Sequence, residues 1–263
     1  MSPWSCVQLS DPHIVEPGRW ANDAVDTEAH LRDAVAFVGR LHPAPDLVLL
    51  TGDLTNHGTP AQLDHLAELL APLAAPVRLL PGNHDDPAAV HARFPDQPWR
   101  DGRMDGVVEG PVRVVTLDST VPGEPGGDLR PDQLEWLDAT LGDHPAAPTL
   151  VALHHPPFAT GIAHMDAMGL AADAAATLAQ VIGRHPQVAH VACGHLHRSI
   201  TVRFAGTVAS TAPSTAMAVA LDLAHGPAAW TTEPPMAVVH TWVEGSGLVS
   251  HLAPIGTHEP HRF

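Results

Sequence analysis

Short, largely apolar runs recur through the first 200 positions, at residues 6–9, 47–50, 77–80, 149–153 and 188–192, each bounded by Pro, Gly or Asp. Unalternating runs of this length predict strands buried on both faces, as in a covered, mostly parallel sheet. Between several of them the period changes to that of a helix. Leu31, Ala34, Val35, Val38 and Leu41 form one apolar stripe, and Leu63, Leu66, Leu70 and Leu73 form another, opened by Thr59 as N-cap with Pro60 at the first helical position. Strand, helix and strand therefore alternate, which predicts an α/β fold whose ligands bind outside the carboxyl ends of the strands.

Past residue 200 the texture changes. Residues 202–204, 217–221, 238–243 and 248–252 are strand-like, with Glu244-Gly245-Ser246-Gly247 joining the last two as a hairpin. They predict an antiparallel continuation, a second sheet packed on the first. Residues 207–215 and 226–235, rich in Ala, Ser, Thr and Pro, read as loops. At 263 residues and 44% hydrophobic content the chain can bury a sizeable core. The expectation is one domain over 1–263: a motif-bearing core to residue 200, second-sheet strands over 201–252 and a mobile tail over 253–263.

Charge and cysteine content narrow the setting. The 29 acidic residues face 13 basic ones, all arginine, for a formal net charge of −16. This argues against long nucleic acids and anionic membranes as partners, since both need basic surface. No stretch reaches the roughly 20 apolar residues of a membrane span, and Met1-Ser2-Pro3-Trp4 lacks the basic start of a leader. Cys6 and Cys193 lie in different predicted strands with no metal-ribbon spacing, so they read as buried, reduced thiols. A cytoplasmic location is expected.

Each predicted strand ends in a short polar motif. In order these are Asp11-Pro12-His13, Gly52-Asp53-Leu54-Thr55-Asn56, Gly82-Asn83-His84-Asp85, His154-His155-Pro156-Pro157 and Gly194-His195-Leu196-His197. Singly, each has a plainer reading: a solvated turn, a turn of residues tolerant of positive φ, or a cap on a strand. Five turns meeting the same strand-end rule are not explained that way. Together they offer oxygen and imidazole donors for two cations about 3.5–4 Å apart, the arrangement that clamps attacking and leaving oxygens in phosphate-ester hydrolysis. Within Asp11-Pro12-His13 and Gly194-His195-Leu196-His197 the donors are two residues apart, so in an extended segment both would leave on one face. Two such cations would outweigh the two carboxylates Asp11 and Asp53, leaving a local charge of about +2 despite the acidic surface.

This ordered series resembles the calcineurin-like metallophosphoesterase superfamily over residues 11–197. The doubled histidine, with Leu117-Asp118-Ser119 and the segment 126–137, is most similar to the class III cyclic-nucleotide phosphodiesterases and their glycerophosphodiesterase relatives. The resemblance implies a four-layer αββα sandwich, a dinuclear centre of Mn or Fe, with Zn as a further option, and a homodimer. It places Asp11, His13 and His197 on one ion, Asn83, His154 and His195 on the other, and Asp53 between them. His154 is preferred to His155 because the family's ligand histidine is usually followed by one residue and then proline. His84 falls to the substrate, where an imidazolium could stabilise charge and protonate the leaving oxygen. Superfamily members often carry Asp where Asn56 stands, and the resemblance implies that such a carboxylate orients this histidine.

The implied activity is hydrolysis of a small phosphodiester such as 3′,5′-cyclic AMP, by in-line attack of a hydroxide held between the ions. A glycerophosphodiesterase or broad phosphoesterase is the alternative, and a noncatalytic scaffold is disfavoured because every ligand position and His84 are kept. Residues 158–170 should shape the leaving-group side of the pocket, with His57 and His164 as candidate lining residues. His30, His42, His65, His91, His185, His225 and His251 read as surface or core positions. The tail His258-Glu259-Pro260-His261 lacks the spacing of a helical zinc motif.

Overall fold

All five apolar runs form strands, and the computed structural model describes them within residues 4–224, 226–257 and 261. The elements through the middle of the chain are β1 (Ser5–Leu9), α1 (Thr27–Arg40), β2 (Leu47–Thr51), α2 (Pro60–Leu70), β3 (Val77–Leu80), α3 (Pro87–Arg93), β4 (Gly106–Val108), β5 (Arg113–Leu117) and α4 (Pro131–Gly142). They continue as β6 (Thr149–Leu153), α5 (Ala163–Asp166), α6 (Ala172–Arg184), β7 (Val188–Cys193), β8 (Ile200–Phe204), β9 (Thr207–Thr211), β10 (Ala218–Val219), β11 (Trp230–Thr231), β12 (Met236–Val243) and β13 (Gly247–Pro254). Thr59 caps α2 as expected, accepting from Gln62 N.

The strands build a five-stranded sheet of order β13-β12-β1-β2-β3 and a six-stranded sheet of order β4-β5-β6-β7-β9-β8, with β10 and β11 as a separate pair. Strands β1 to β3 run parallel in the first sheet, and β5, β6, β7 and β9 run parallel in the second. The pleat then sorts the side chains into layers. Val7, Leu9, Val48 and Leu50 turn outward to pack with Leu31 of α1 and Leu63 of α2. Val151, Leu153 and Val191 turn outward on the other side to meet Leu137 of α4 and Leu178 of α6. Between the sheets Cys6, Leu47 and Leu49 meet Val114, Leu150, Ala152 and Ala192. Helix, sheet, sheet and helix form the expected four-layer sandwich.

The strands past residue 200 differ from the expected second sheet. Only β8 and β9 join that sheet, at its edge, whereas β12 and β13 return to the first sheet and pair antiparallel beside β1. An uncovered β1 edge would leave its backbone donors and acceptors unpaired, and β12 satisfies them. Residues 207–215 were expected to form a loop, yet they open with β9. Its small side chains Ala209, Ser210 and Thr211 are buried beside β7, and Ala205-Gly206, both at positive φ, make the tight turn from β8. Residues 226–235 likewise contain β11. The tail read as residues 253–263 gives Ala253 and Pro254 to β13, while 258–260, 262 and 263 lie outside the described residues, as do 1–3 and His225. Among the described residues no helix is long and apolar enough to cross a membrane.

Candidate metal centre

The five motifs leave the ends of β1, β2, β3, β6 and β7 on one side of the sandwich, three from the first sheet and two from the second. Their backbone is not extended. Asp11 (φ 50), His13 (φ 45), Asp53 (φ 46), His195 (φ 70) and His197 (φ 53) all occupy the left-handed region. Few non-glycine residues do so, and those that do gather at functional sites where surrounding structure over-determines them. Contrary to the expectation for an extended segment, residues two apart do not share a face by pleating: the pleat ends at Leu9 and Cys193, and successive left-handed turns aim the side chains. Backbone bonds from Asp11 N to Gly52 O (3.1 Å), His13 N to Asp53 O (3.0 Å) and Gly194 N to His154 O (3.0 Å) lash the turns together.

The side chains converge in two groups. Asp11, His13, Asp53 and His197 bring one donor atom each within 4.8 Å of one another, and His154, His155 and His195 do the same. Asp53 spans them, with Oδ2 3.5 Å from His13 Nε2 and Oδ1 3.5 Å from His154 Nε2. Asn83 Oδ1 stands 3.2 Å from His154 Nε2, and His197 Nε2 stands 3.5 Å from Asp11 Oδ1 and 3.1 Å from His13 Nε2. His154 Nδ1 donates to Thr51 O (2.8 Å) and His197 Nδ1 to Met217 O (2.9 Å). A carbonyl can only accept, so each Nδ1 carries the proton and each Nε2 presents its lone pair inward.

These donors fit a pair of cations. Buried His195 Nε2, His155 Nε2 and His13 Nδ1 have no hydrogen-bond partner, and nitrogens as close as those of His13 and His197 gain from sharing a positive charge. Burial lowers the imidazoles below their ordinary value, His195 to about 3 and His197 to about 4, so they are neutral and ready to ligate at pH 7. Burial, then the neighbouring Asp53 carboxylate, raises Asp11, a cost that nearby cations would reverse. The oxygen and nitrogen donors with no thiolate suit Mn, Fe or Zn in a reactive rather than a structural site.

Glycine is required where backbone meets the His154 and Asp53 side chains. At Gly52 (φ 94) an added Cβ would lie 2.1 Å from His154 Nδ1, and at Gly82 it would lie 2.2 Å from both Asp53 N and Oδ1. Gly52→Ala is expected to cost about 1–3 kcal/mol of stability from backbone strain and to displace the His154 ring. Calorimetry and metal analysis check this. An unchanged melting temperature and metal content would mean that the ring moves aside freely.

His84 is exposed at the mouth of the site, its ring edge-on to His13 at 4.7 Å. Its Nδ1 donates to the backbone carbonyl of Asn56 (2.9 Å), while the Asn56 side chain turns to His57. Orientation of this histidine thus falls to a main-chain oxygen, which a side-chain exchange at position 56 does not remove. His155, the third member of the second group, is wholly buried, with Nδ1 on Ser119 Oγ (2.9 Å).

The adjoining cleft, of about 300 Å³, is lined by Asn22, Asn56, Asn83 and His84 and by an apolar wall of Met165, Met168, Met217 and Val219. Met165 and Met168 come from the expected 158–170 segment, whereas His57 and His164 are not among the lining residues. Several functional positions had no individual signal in the sequence. Asp85 accepts from Gly82 N, Leu54 N and Thr55 N at 2.9 Å each, riveting the third motif to the second. Ser10, Thr51 and Met217 hold Asp11, His154 and His197 from behind.

Residues 5–199 match the family model described as calcineurin-like phosphoesterase. The chain is 36% identical over 262 residues to a probable glycerophosphodiester phosphodiesterase of Arcobacter nitrofigilis, covering 98% of this chain and 96% of that protein. It is 32% identical over 209 residues to the 3′,5′-cyclic adenosine monophosphate phosphodiesterase of Escherichia coli K12, covering 80% and 75% of the two chains. A dimetal phosphatase from Danio rerio shares the fold at a TM-score of 0.71 and 16% identity, over 97% of this chain and all of that one.

Proposed function

The chain belongs to the calcineurin-like phosphoesterase family, and from that premise we propose a metal-dependent phosphodiesterase acting on small phosphodiesters, 3′,5′-cyclic nucleotides foremost. The observation that carries the reading is Asp53, whose two carboxylate oxygens face two separate donor groups. A carboxylate can join two cations, which an imidazole nitrogen cannot.

In this reading Asp11, His13 and His197 would hold one ion, Asn83, His154 and His195 would hold the other, and Asp53 would serve both. When bound, the ions supply Lewis-acid polarisation of the phosphoryl group and lower the pKa of water. The chain does the rest. Asn83 and His84 contact the phosphoryl oxygens, and the Asn56 carbonyl fixes His84 with Nε2 toward the cleft, where a proton on that nitrogen can pass to the departing oxygen. The thioether wall of Met165, Met168 and Met217 gives the leaving group an apolar, adaptable surface. Mn or Fe is the favoured filling, with Zn compatible. The buried, unpaired Cys6 and Cys193 suit a reducing cytoplasm, and family resemblance supports a homodimer.

A glycerophosphodiesterase is the second reading, favoured by the near full-length relative that bears that name. Manganese-loaded protein should be assayed against cyclic nucleotides, glycerophosphodiesters and phosphomonoesters. Fastest turnover is expected on 3′,5′-cyclic AMP and slowest on monoesters. Preference for a glycerophosphodiester would select the second reading, and preference for a monoester would sink both.

A further inference from the structure

Between the sheets, where apolar side chains would pack without cost, the chain buries Gln8, Ser10, Thr51 and His240 with no exposed surface. Buried polar groups persist only when satisfied, and these satisfy one another in a line. Ser250 Oγ lies 2.8 Å from His240 Nδ1, and His240 Nε2 lies 3.1 Å from Gln8 Oε1. Gln8 Nε2 is 3.0 Å from both Thr51 Oγ1 and the Cys193 carbonyl. Thr51 Oγ1 is 2.7 Å from Ser10 Oγ, which donates to Asp11 Oδ2 at 2.5 Å. The line crosses β13, β12, β1 and β2, the full run of adjacent strands from the sheet edge to the site.

Chemistry fixes every proton in it. The Cys193 carbonyl can only accept, so the Gln8 amide nitrogen faces it and Thr51, and Gln8 Oε1 faces His240. His240 must then carry its proton on Nε2 and accept from Ser250 on Nδ1. The Asp11 carboxylate can only accept, so Ser10 spends its one proton there, and the proton between Thr51 and Ser10 comes from Thr51. All donors point toward Asp11. Its Oδ2 is thereby occupied, with His195 N adding bonds to Oδ1 (3.0 Å) and Oδ2 (3.2 Å), and Oδ1 is left facing His197 Nε2. At Gly194 a Cβ would stand 2.5 Å from Ser10 Oγ, so the line also needs that glycine.

We propose that this one-way relay, from Ser250 through His240, Gln8, Thr51 and Ser10, holds Asp11 in its ligating orientation, making His240, Gln8 and Thr51 positioning residues for the metal centre. The proposal rests on the reading of Asp11 as a ligand. Aligned hydrogen bonds polarise one another in a low dielectric, and groups that orient metal ligands typically alter metal affinity by 10–100-fold.

The test is titration of metal-depleted protein with Mn²⁺, following free Mn²⁺ by its paramagnetic resonance. Thr51→Val keeps the shape of the side chain and cuts the line, and is expected to weaken at least one site by roughly 10–100-fold. Thr51→Ser restores the hydroxyl and should restore wild-type affinity. His240→Phe, two links further away, should shift binding in the same direction by less, and it decides the matter if Thr51→Val does not fold. Two ions in the wild type with unchanged affinity in Thr51→Val overturns the relay alone. A loss in Thr51→Val that Thr51→Ser fails to restore assigns the effect to packing and overturns it too. A wild type that takes up no ions overturns the metal reading together with the relay.

Discussion

Asp53→Ala is expected to empty both ion positions and abolish turnover, because one side chain faces both donor groups through different oxygens. Losing two Lewis acids removes several kcal/mol of transition-state stabilisation, and at 1.36 kcal/mol per decade that is a fall of about three decades or more. Elemental analysis checks it directly: two metals per chain with activity intact would remove Asp53 from the bridge. Neighbouring variants calibrate the result. His154→Ala should lower metal occupancy more than His155→Ala, since His154 Nε2 sits among Asn83 and Asp53 while His155 is tied to Ser119 from behind. The reverse order would exchange their roles.

His84→Ala should keep both metals and still lose most activity on 3′,5′-cyclic AMP. The loss should depend on what leaves. General acid catalysis contributes about 10²–10⁴-fold, and it matters least when the departing oxygen is already a stable anion. Nitrophenolate needs little help, whereas the ribose oxygen released from a cyclic nucleotide needs much. A distinctly smaller loss is therefore expected on bis(p-nitrophenyl) phosphate. Equal losses on both substrates with metal content preserved would mean that His84 only positions phosphate or stabilises its charge. Because its Nδ1 rests on a main-chain carbonyl, Asn56→Ala should leave this contrast between substrates in place.

The strands were legible because burial on both faces suppresses alternation, and β2 and β6 are buried at every position. The stripes of α1 and α2 were legible because each helix meets the first sheet on one side. Other elements escape such reading for physical reasons. Strand β9 is built of small residues that fit beside β7 but resemble a loop in composition. The return of β12 to β1 is a choice of edge, which no local pattern encodes. At the site, residue types and order were readable, but the means of aiming them was not. An aspartate or histidine at positive φ looks in sequence like one in a strand. Supports such as Asn56 O, Met217 O and Thr51 O are main-chain atoms that any side chain could supply.

In the proposed assignment neither sheet alone would hold either ion. Asp11 and His13 follow β1 of the first sheet while His197 follows β7 of the second, and Asn83 follows β3 of the first while His154 and His195 follow β6 and β7 of the second. Two ions so held would act as a pair of rivets through the seam between the two backbone ladders. Any sliding of one sheet over the other would then distort both donor sets at once. Metal affinity would thus gauge how the halves of the sandwich sit together, and a core substitution deep between the sheets would be felt at the site without touching a proposed ligand.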